Sequence, residues 1–457
     1  VLFMLSLLML VGFYACTKTG IPHENPNSEV LSGGLQTTFN EGSGAYSQMF
    51  QELSARLQEV HEIGDRAFEQ TFVSAPAPLH GGLGPIYNNV SCISCHVGDG
   101  RGKIPGVGET AASILFRVSL PGTNTHNGPL AIPGFGDQIQ HRAVASTLKE
   151  ADVEITYQEV PGQFTDGTSY SLRVPNYQIT QPYAPLPSGV QISPRVAAPV
   201  FGLGLLEAIH DADILAHADE FDTDQDGISG RPNYVWNEIK QQNQIGRFGW
   251  KANEPTILQQ ISGALNGDMG ITSPYFNDQH LLKQHTVAKK MPVGGDPEIA
   301  NDDLEKMHLY SATLAVPARR NVDDEDVLAG KKLFTVLNCN ACHIDKMVTG
   351  THPKFSVLSN QTIRPYTDLL LHDMGAGLAD NRPDFLATGS EWRTPPLWGI
   401  GLFQTVNKHT FYLHDGRARN LEEAILWHDG EAASSKNKFI KLSATERAQL
   451  ILFLQSL

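Results

Sequence analysis

Cys92-Ile93-Ser94-Cys95-His96 and Cys339-Asn340-Ala341-Cys342-His343 repeat one pattern: two thiols three residues apart, with an imidazole directly after the second. Thiols so spaced can add to the two vinyl groups of one porphyrin, and the adjoining His can reach its iron as an axial ligand. Four of the five cysteines are used in this way. A four-thiol zinc site, a thioredoxin-like pair and two disulfides are the other readings of such thiols. A zinc site does not require His after each second Cys, and a redox pair would more often occur once, near a βαβ pattern. The sequence therefore predicts two covalently bound c-type haems, on Cys92 with Cys95 and on Cys339 with Cys342, with His96 and His343 as proximal iron ligands.

A second pattern suits a hard cation. Asp222-Thr223-Asp224-Gln225-Asp226-Gly227-Ile228 offers carboxylates at alternate positions, a Gly for the tight turn and a backbone carbonyl at Ile228, as calcium loops do. Asn233 stands at the twelfth position where a bidentate Glu is usual. Calcium on Asp222, Asp224, Asp226 and Ile228 is the expectation, against a solvated acidic turn.

These groups need a scaffold, and 457 residues that are 41% hydrophobic and 18% charged can supply large cores. The net charge of −15, with no basic block, argues against nucleic acid and anionic membrane surfaces as partners. Val1 to Ala15 is an uncharged apolar run ending at Ala15-Cys16, which resembles a bacterial lipoprotein processing site with Cys16 as the lipidated residue. Residues 1–16 are thus expected to be a signal segment and 17–45 a flexible tether rich in Gly, Ser, Thr and Asn. The rest is expected on the periplasmic side of a bacterial envelope.

Beyond the tether the chain looks built twice. Ala198 to Ile209 aligns without gaps on Pro395 to Val406, apolar on apolar and Gly on Gly, each preceded by an Arg, Arg195 and Arg393. Helical spacing appears in Gln51 to Phe72 and Asp326 to Phe334, ahead of the two motifs, and Ser443 to Glu446 forms a capping box opening a helix to Leu457. The expected architecture is mainly α: two cytochrome c-like haem domains, 46–320 and 321–457, the first enlarged by a long insertion with minor β structure.

Glu391 to Leu397, Tyr412 to Ala418 and Leu421 to Ile425 resemble the C-terminal half of bacterial di-haem cytochrome c peroxidases. Ser193 to Ile209, Gly246 to Ala252 and Pro365 to Gly375 are similar to a di-haem oxidoreductase family described as peroxidases and sometimes called thiol oxidoreductases. The likeness spans roughly Gly64 to Leu457. It implies peroxide reduction at an open or openable haem, a nearby acid or base, and a second, six-coordinate haem fed by a small periplasmic electron donor. For a sixth ligand, Met374 and Met269, each inside Asp-Met-Gly, compete with His372, His414 and His428; Met374 is the one we select. Glu207 aligns with Gln404, and a carboxylate can exchange protons where an amide cannot, so Glu207 is the candidate acid/base and the first haem the candidate peroxidatic site. Glu422 and Glu423 fit a helix start better than catalysis. Trp250, Trp392 and Trp398 are candidate relays or core residues. Two other functions suit the same motifs: an electron-transfer lipoprotein with both haems six-coordinate, and a protein-modifying di-haem oxidase.

Overall fold

The computed structural model describes residues 28–457 except 107, 110, 280 and 282–285. The expected signal segment, with Cys16, and the first part of the expected tether lie outside the described residues. From residue 28 the tether is packed. Thr37 and Thr38 pair in parallel with Val316 and Pro317, Leu31 is buried, and Glu29 bridges Arg319 and Lys331.

Two helix crossings form the frame, and they match residue for residue. Ser54 caps the helix Ala55–Glu69 by accepting from the Leu57 N–H, and His61, Gly64 and Phe68 make its buried stripe. It crosses Asn301–Ala312 where Gly64 meets the Lys306 carbonyl; a methyl on Gly64 would collide with that oxygen and lie 2.7 Å from Tyr310 Cβ. In the second half Asp324 caps Glu325–Val336, whose buried residues are Val327, Gly330 and Phe334. This helix crosses Ala444–Ser456, which opens with the expected capping box, Ser443 with Glu446. Here a methyl on Gly330 would collide with the Gln449 carbonyl and lie 2.8 Å from Phe453 Cβ. Phe68 then packs on Tyr310 at 5.3 Å between ring centroids, and Phe334 on Phe453 at 5.2 Å.

The aligned turns also correspond in space. Gly202 and Gly399 both take φ of +72°, a left-handed conformation in which a side chain is strained. Each donates its N–H at 3.0 Å to the carbonyl just beyond its own long helix, Gly202 to Leu314 and Gly399 to Leu457. The two turns touch reciprocally. A methyl on Gly202 would sit 2.6 Å from the Trp398 ring, and one on Gly399 would sit 2.5 Å from Phe201. Such an exchange of equivalent contacts is what a local two-fold axis produces, and it supports an internal duplication.

The expected mainly α class is overturned: the described residues are mixed, with 27% helix and 20% strand. The difference lies largely between residues 114 and 196. Ile114–Thr123 pairs antiparallel with Gln191–Val196, and Asp152–Gln163 pairs along its whole length with Ser169–Thr180 in a long hairpin. Alternation of Val153, Ile155 and Tyr157, facing Tyr177 and Ile179, fits a half-buried ribbon rather than a helix. Asp166-Gly167 closes it, Gly167 at φ +90°. The hairpin is tied to the C-terminal half by Tyr177 Oη donating to Asp415 Oδ2 at 2.8 Å, by Arg173 Nη2 donating to the Gly416 carbonyl at 3.0 Å, and by Arg447 with Asp166.

Glu150, just before that hairpin, is fully buried. Burial pushes its carboxyl up to about 9, outweighing the Gln140 N–H that donates to Oε2 at 2.8 Å, with Asp137 adding to the rise. The folded chain therefore keeps a proton that the unfolded chain releases above about pH 4.3, and stability falls as pH rises from there towards 9. Glu150→Gln retains an acceptor for the Gln140 N–H and has no proton to lose. It should raise stability in denaturant melts by up to about 5 kcal/mol near pH 8 and change little near pH 4. A difference independent of pH would contradict this.

Candidate functional site

Each Cys-x-x-Cys-His segment is a tight turn closed on its first residue. The His96 N–H donates to the Cys92 carbonyl at 3.0 Å, and the His343 N–H to the Cys339 carbonyl at 3.1 Å. The four cysteines of the two motifs are free, partly accessible thiols, and Cys92 and Cys339 pack against the main apolar core. Burial pushes Cys92, Cys95 and Cys339 up to about 12, so each is a neutral thiol at neutral pH. Among the described residues they do not gather into a four-thiol site.

The two imidazoles are held alike. His96 Nδ1 lies 2.7 Å from the Ala198 carbonyl and His343 Nδ1 lies 3.0 Å from the Tyr366 carbonyl. A carbonyl can only accept, so Nδ1 carries the hydrogen in both and Nε2 keeps its lone pair. Burial lowers the pKa of both, His343 to about 4, so neither imidazole is charged at neutral pH. A neutral imidazole oriented through Nδ1 is the form that binds iron. Phe68 stands 6.1 Å from His96 and Phe334 6.2 Å from His343, at tilts of 51° and 54°. Thiol pair, oriented imidazole and aromatic wall thus fit a haem at each motif.

The surroundings of the two motifs differ. His428 Nδ1 donates to the Ala424 carbonyl at 2.7 Å, which again leaves Nε2 as the lone-pair nitrogen, and His428 stands close enough to His343 to lower its pKa further. Met374 is partly buried against the main core, and the adjoining Gly375 packs on Asp429 and Gly430. His372 is engaged at both nitrogens, Nε2 with Asp368 at 2.8 Å and Nδ1 with Glu431 at 2.7 Å, and lies 3.5 Å from the Cys342 sulfur. Burial opposes its protonation, but the two carboxylates outweigh burial and hold it charged. His414 stacks on Trp392 at 3.7 Å and 12°. Met269 is 2% exposed in an apolar cluster with Leu265, Ile271 and Met307.

Glu207 sits in a cluster the sequence does not announce. Its Oε1 accepts from the Ile257 N–H at 2.8 Å, and its Oε2 faces His308 Nε2 at 3.3 Å and His352 Nε2 at 3.7 Å. Burial alone would raise its pKa, but the His308 and His352 contacts outweigh burial and hold it below the usual carboxylate range. Gln404, its counterpart, is exposed. The asymmetry follows from the cover: the Gly350 N–H donates to the Ala208 carbonyl at 2.7 Å and Ile209 bridges Thr349, bringing His352 over the first turn.

A family model described as "Di-haem oxidoreductase, putative peroxidase" matches residues 28–457, nearly the whole of the chain. The chain belongs to this family. Its description implies haem cofactors and oxidoreductase chemistry. No curated protein and no solved structure matches the chain.

In this di-haem oxidoreductase the acidic loop gathers a set of oxygens that only partly coincides with the expected one. Asp219, Asp222 and Asp224 each offer an oxygen within 4.8 Å of the others. Asp226 Oδ1 accepts from the Ile228 N–H at 2.8 Å, and Asp222 Oδ1 from the Gly227 N–H at 3.1 Å. Asn233 is fully buried, its Nδ2 donating to the Lys251 and Asp384 carbonyls. Asp219, three residues before the alternating pattern, is the addition a strict spacing rule misses. Trp392 and Trp398 are buried in the main core, and Trp250 Nε1 donates to the Val196 carbonyl at 2.8 Å. Glu422 and Glu423 lie in the first turn of Leu421–Leu426, which Asn420 caps.

Proposed function

We propose that this oxidoreductase carries two c-type haems, attached at Cys92 with Cys95 and at Cys339 with Cys342, and reduces a peroxide. The observation carrying the reading is the pair of matched sites: beside each Cys-x-x-Cys turn an imidazole is fixed through Nδ1 by a backbone carbonyl and walled by Phe68 or Phe334, and at His343 two further imidazoles, His428 and His372, are near enough to be felt. Haem would supply the iron and the means to store and pass electrons. The chain's own part is to fix His96 and His343 as neutral ligands and to hold the two sites in one rigid frame. In this reading His428 is the second ligand at the C-terminal site, ahead of Met374, because its Nδ1 is already fixed and its Nε2 free for iron. Glu207 enters as an anchor joining three parts of the chain rather than as the acid or base, since both its oxygens are engaged.

The reaction class is a two-electron, two-proton cleavage of the O–O bond, with electrons from a small donor in the cell envelope and Cys16 as the point of lipid attachment. The test is a titration of half-reduced protein with hydrogen peroxide, followed by optical and paramagnetic-resonance spectra. One haem should show an exchangeable sixth position and react, while the other stays six-coordinate. Two six-coordinate, unreactive haems would replace this reading with that of an electron carrier.

Calcium at Asp219, Asp222 and Asp224 is part of the proposal. An ion that binds only the folded chain stabilises it by mass action, about 2.7 kcal/mol at a hundredfold excess over its dissociation constant. Asp222→Ala with Asp224→Ala should abolish the rise in melting temperature on adding calcium. Wild-type melting indifferent to calcium and chelator alike would reduce the loop to an acidic turn.

A further inference from the structure

Among the described residues, the buried Arg and Lys side chains are paired with carboxylates within 4 Å, as Arg195 is with Asp384 and Lys251 with Asp380, with two exceptions. Those exceptions are Arg101, 4% exposed, and Arg393, 8% exposed. Arg101 has one donor on the Leu413 carbonyl, its guanidinium lies 5.1 Å from the Trp250 ring centroid, and its Nε is buried without a partner. Arg393 Nε donates to the Gly249 carbonyl at 2.9 Å, and its Nη1 is buried without a partner. Burial lowers both to about 10, still charged at neutral pH. The carboxylates near enough to be felt are already committed, Asp415 to Arg417 and Asp368 to His372. A buried guanidinium without an anion is costly, so a fold that keeps two of them has an anionic group for them to meet.

Their places in the chain say which group. The Gly102 N–H, next to Arg101, donates at 2.9 Å to the carbonyl of Ala197, next to the Ala198 carbonyl that orients His96. Thr367 Oγ1 donates at 2.6 Å to the carbonyl of Thr394, next to Arg393, and Thr367 follows the Tyr366 whose carbonyl orients His343. Each unpaired Arg is thus fastened to the backbone that fixes one proximal imidazole. We propose that Arg101 and Arg393 are the propionate anchors of the first and second haem, each guanidinium pairing with a carboxylate carried on the porphyrin edge. A planar fork of donors suits a carboxylate better than a point charge would.

The assignment rests on the two-haem reading, which a pyridine haemochrome count tests separately: fewer than two haems per chain sinks both. With two haems present, Arg101→Gln and Arg393→Gln are compared with wild type by spectroelectrochemical titration across the neutral pH range. Each variant should move its own haem's wave to lower potential, because a carboxylate stripped of its cation leaves negative charge beside the iron, and should leave the other wave in place. The variant in which Lys replaces Arg should restore most of the shift; if the Gln variants do not assemble, it should show a smaller shift of the same sign. Waves that do not move, or that move together in either variant, overturn the assignment. A soluble anion is the competing source. Stabilisation of the wild type by inorganic phosphate that Arg→Gln abolishes, with the waves unmoved, would give the site to a free anion instead.

Discussion

Replacing Cys92 and Cys95 together by Ala should leave one covalent haem per chain, and replacing Cys339 and Cys342 should leave the other. Each pair has its own oriented imidazole and its own helix crossing, so the loss of one attachment does not dismantle the second site directly. Thioether formation needs both thiols as nucleophiles, and Ala keeps the small apolar volume that lets Cys92 pack against two core clusters. The measurement is haem per chain by pyridine haemochrome, with intact mass to count covalent additions. The expected result is a halving in each double variant and no covalent haem when all four cysteines are replaced. Two haems retained in either double variant would remove the attachment reading, and with it the propionate assignment. The surviving haem in each variant also isolates one optical spectrum, showing whether the site with His428 nearby is the six-coordinate one.

Much of this frame was legible because it rests on local chemistry. The two haem motifs, the capping box at Ser443 and the turn repeated at Gly202 and Gly399 are short, and their residues act on near neighbours in the chain. The β insertion was less legible, although its signal was present: alternation from Val153 to Tyr157 and the Asp166-Gly167 turn both mark a hairpin. What no local pattern carries is the company kept across the fold. Glu207 looks like a free carboxylate beside a Gln counterpart until residues 347–352 fold over it and bring His352 within 3.7 Å. His372 looks like a ligand until Asp368 and Glu431 occupy both nitrogens. Asn233 falls at the loop's twelfth position by count, yet its amide is committed to two carbonyls in the core. In each case at least one partner comes from far along the chain, Glu431 for His372, His352 for Glu207 and Asp384 for Asn233, and such pairings depend on topology that spacing does not encode.

The duplication makes a quantitative comparison available. Gly64→Ala and Gly330→Ala should each destabilise the protein by about 2 kcal/mol or more, and by similar amounts. The atoms a methyl would strike, the carbonyls of Lys306 and Gln449, are helix backbone and cannot swing aside as a long side chain would. The crossing helices must move apart, and Phe68 and Phe334 lose their contact with Tyr310 and Phe453. Ala is the better helix former by about 1 kcal/mol, so the measured loss is the collision less that gain. Gly263→Ala supplies the control. Gly263 is also inside a helix, but a methyl there meets only the Phe276 ring at 3.9 Å, so the propensity gain should appear almost alone, as a stabilisation of up to about 1 kcal/mol. Urea melts of the three variants decide the matter, with the haem absorption recorded alongside, because the same aromatic rings face His96 and His343. If Gly64→Ala and Gly263→Ala behaved alike, close helix approach would not be what holds the first site together, and the structural equivalence of the two halves would lose its energetic meaning.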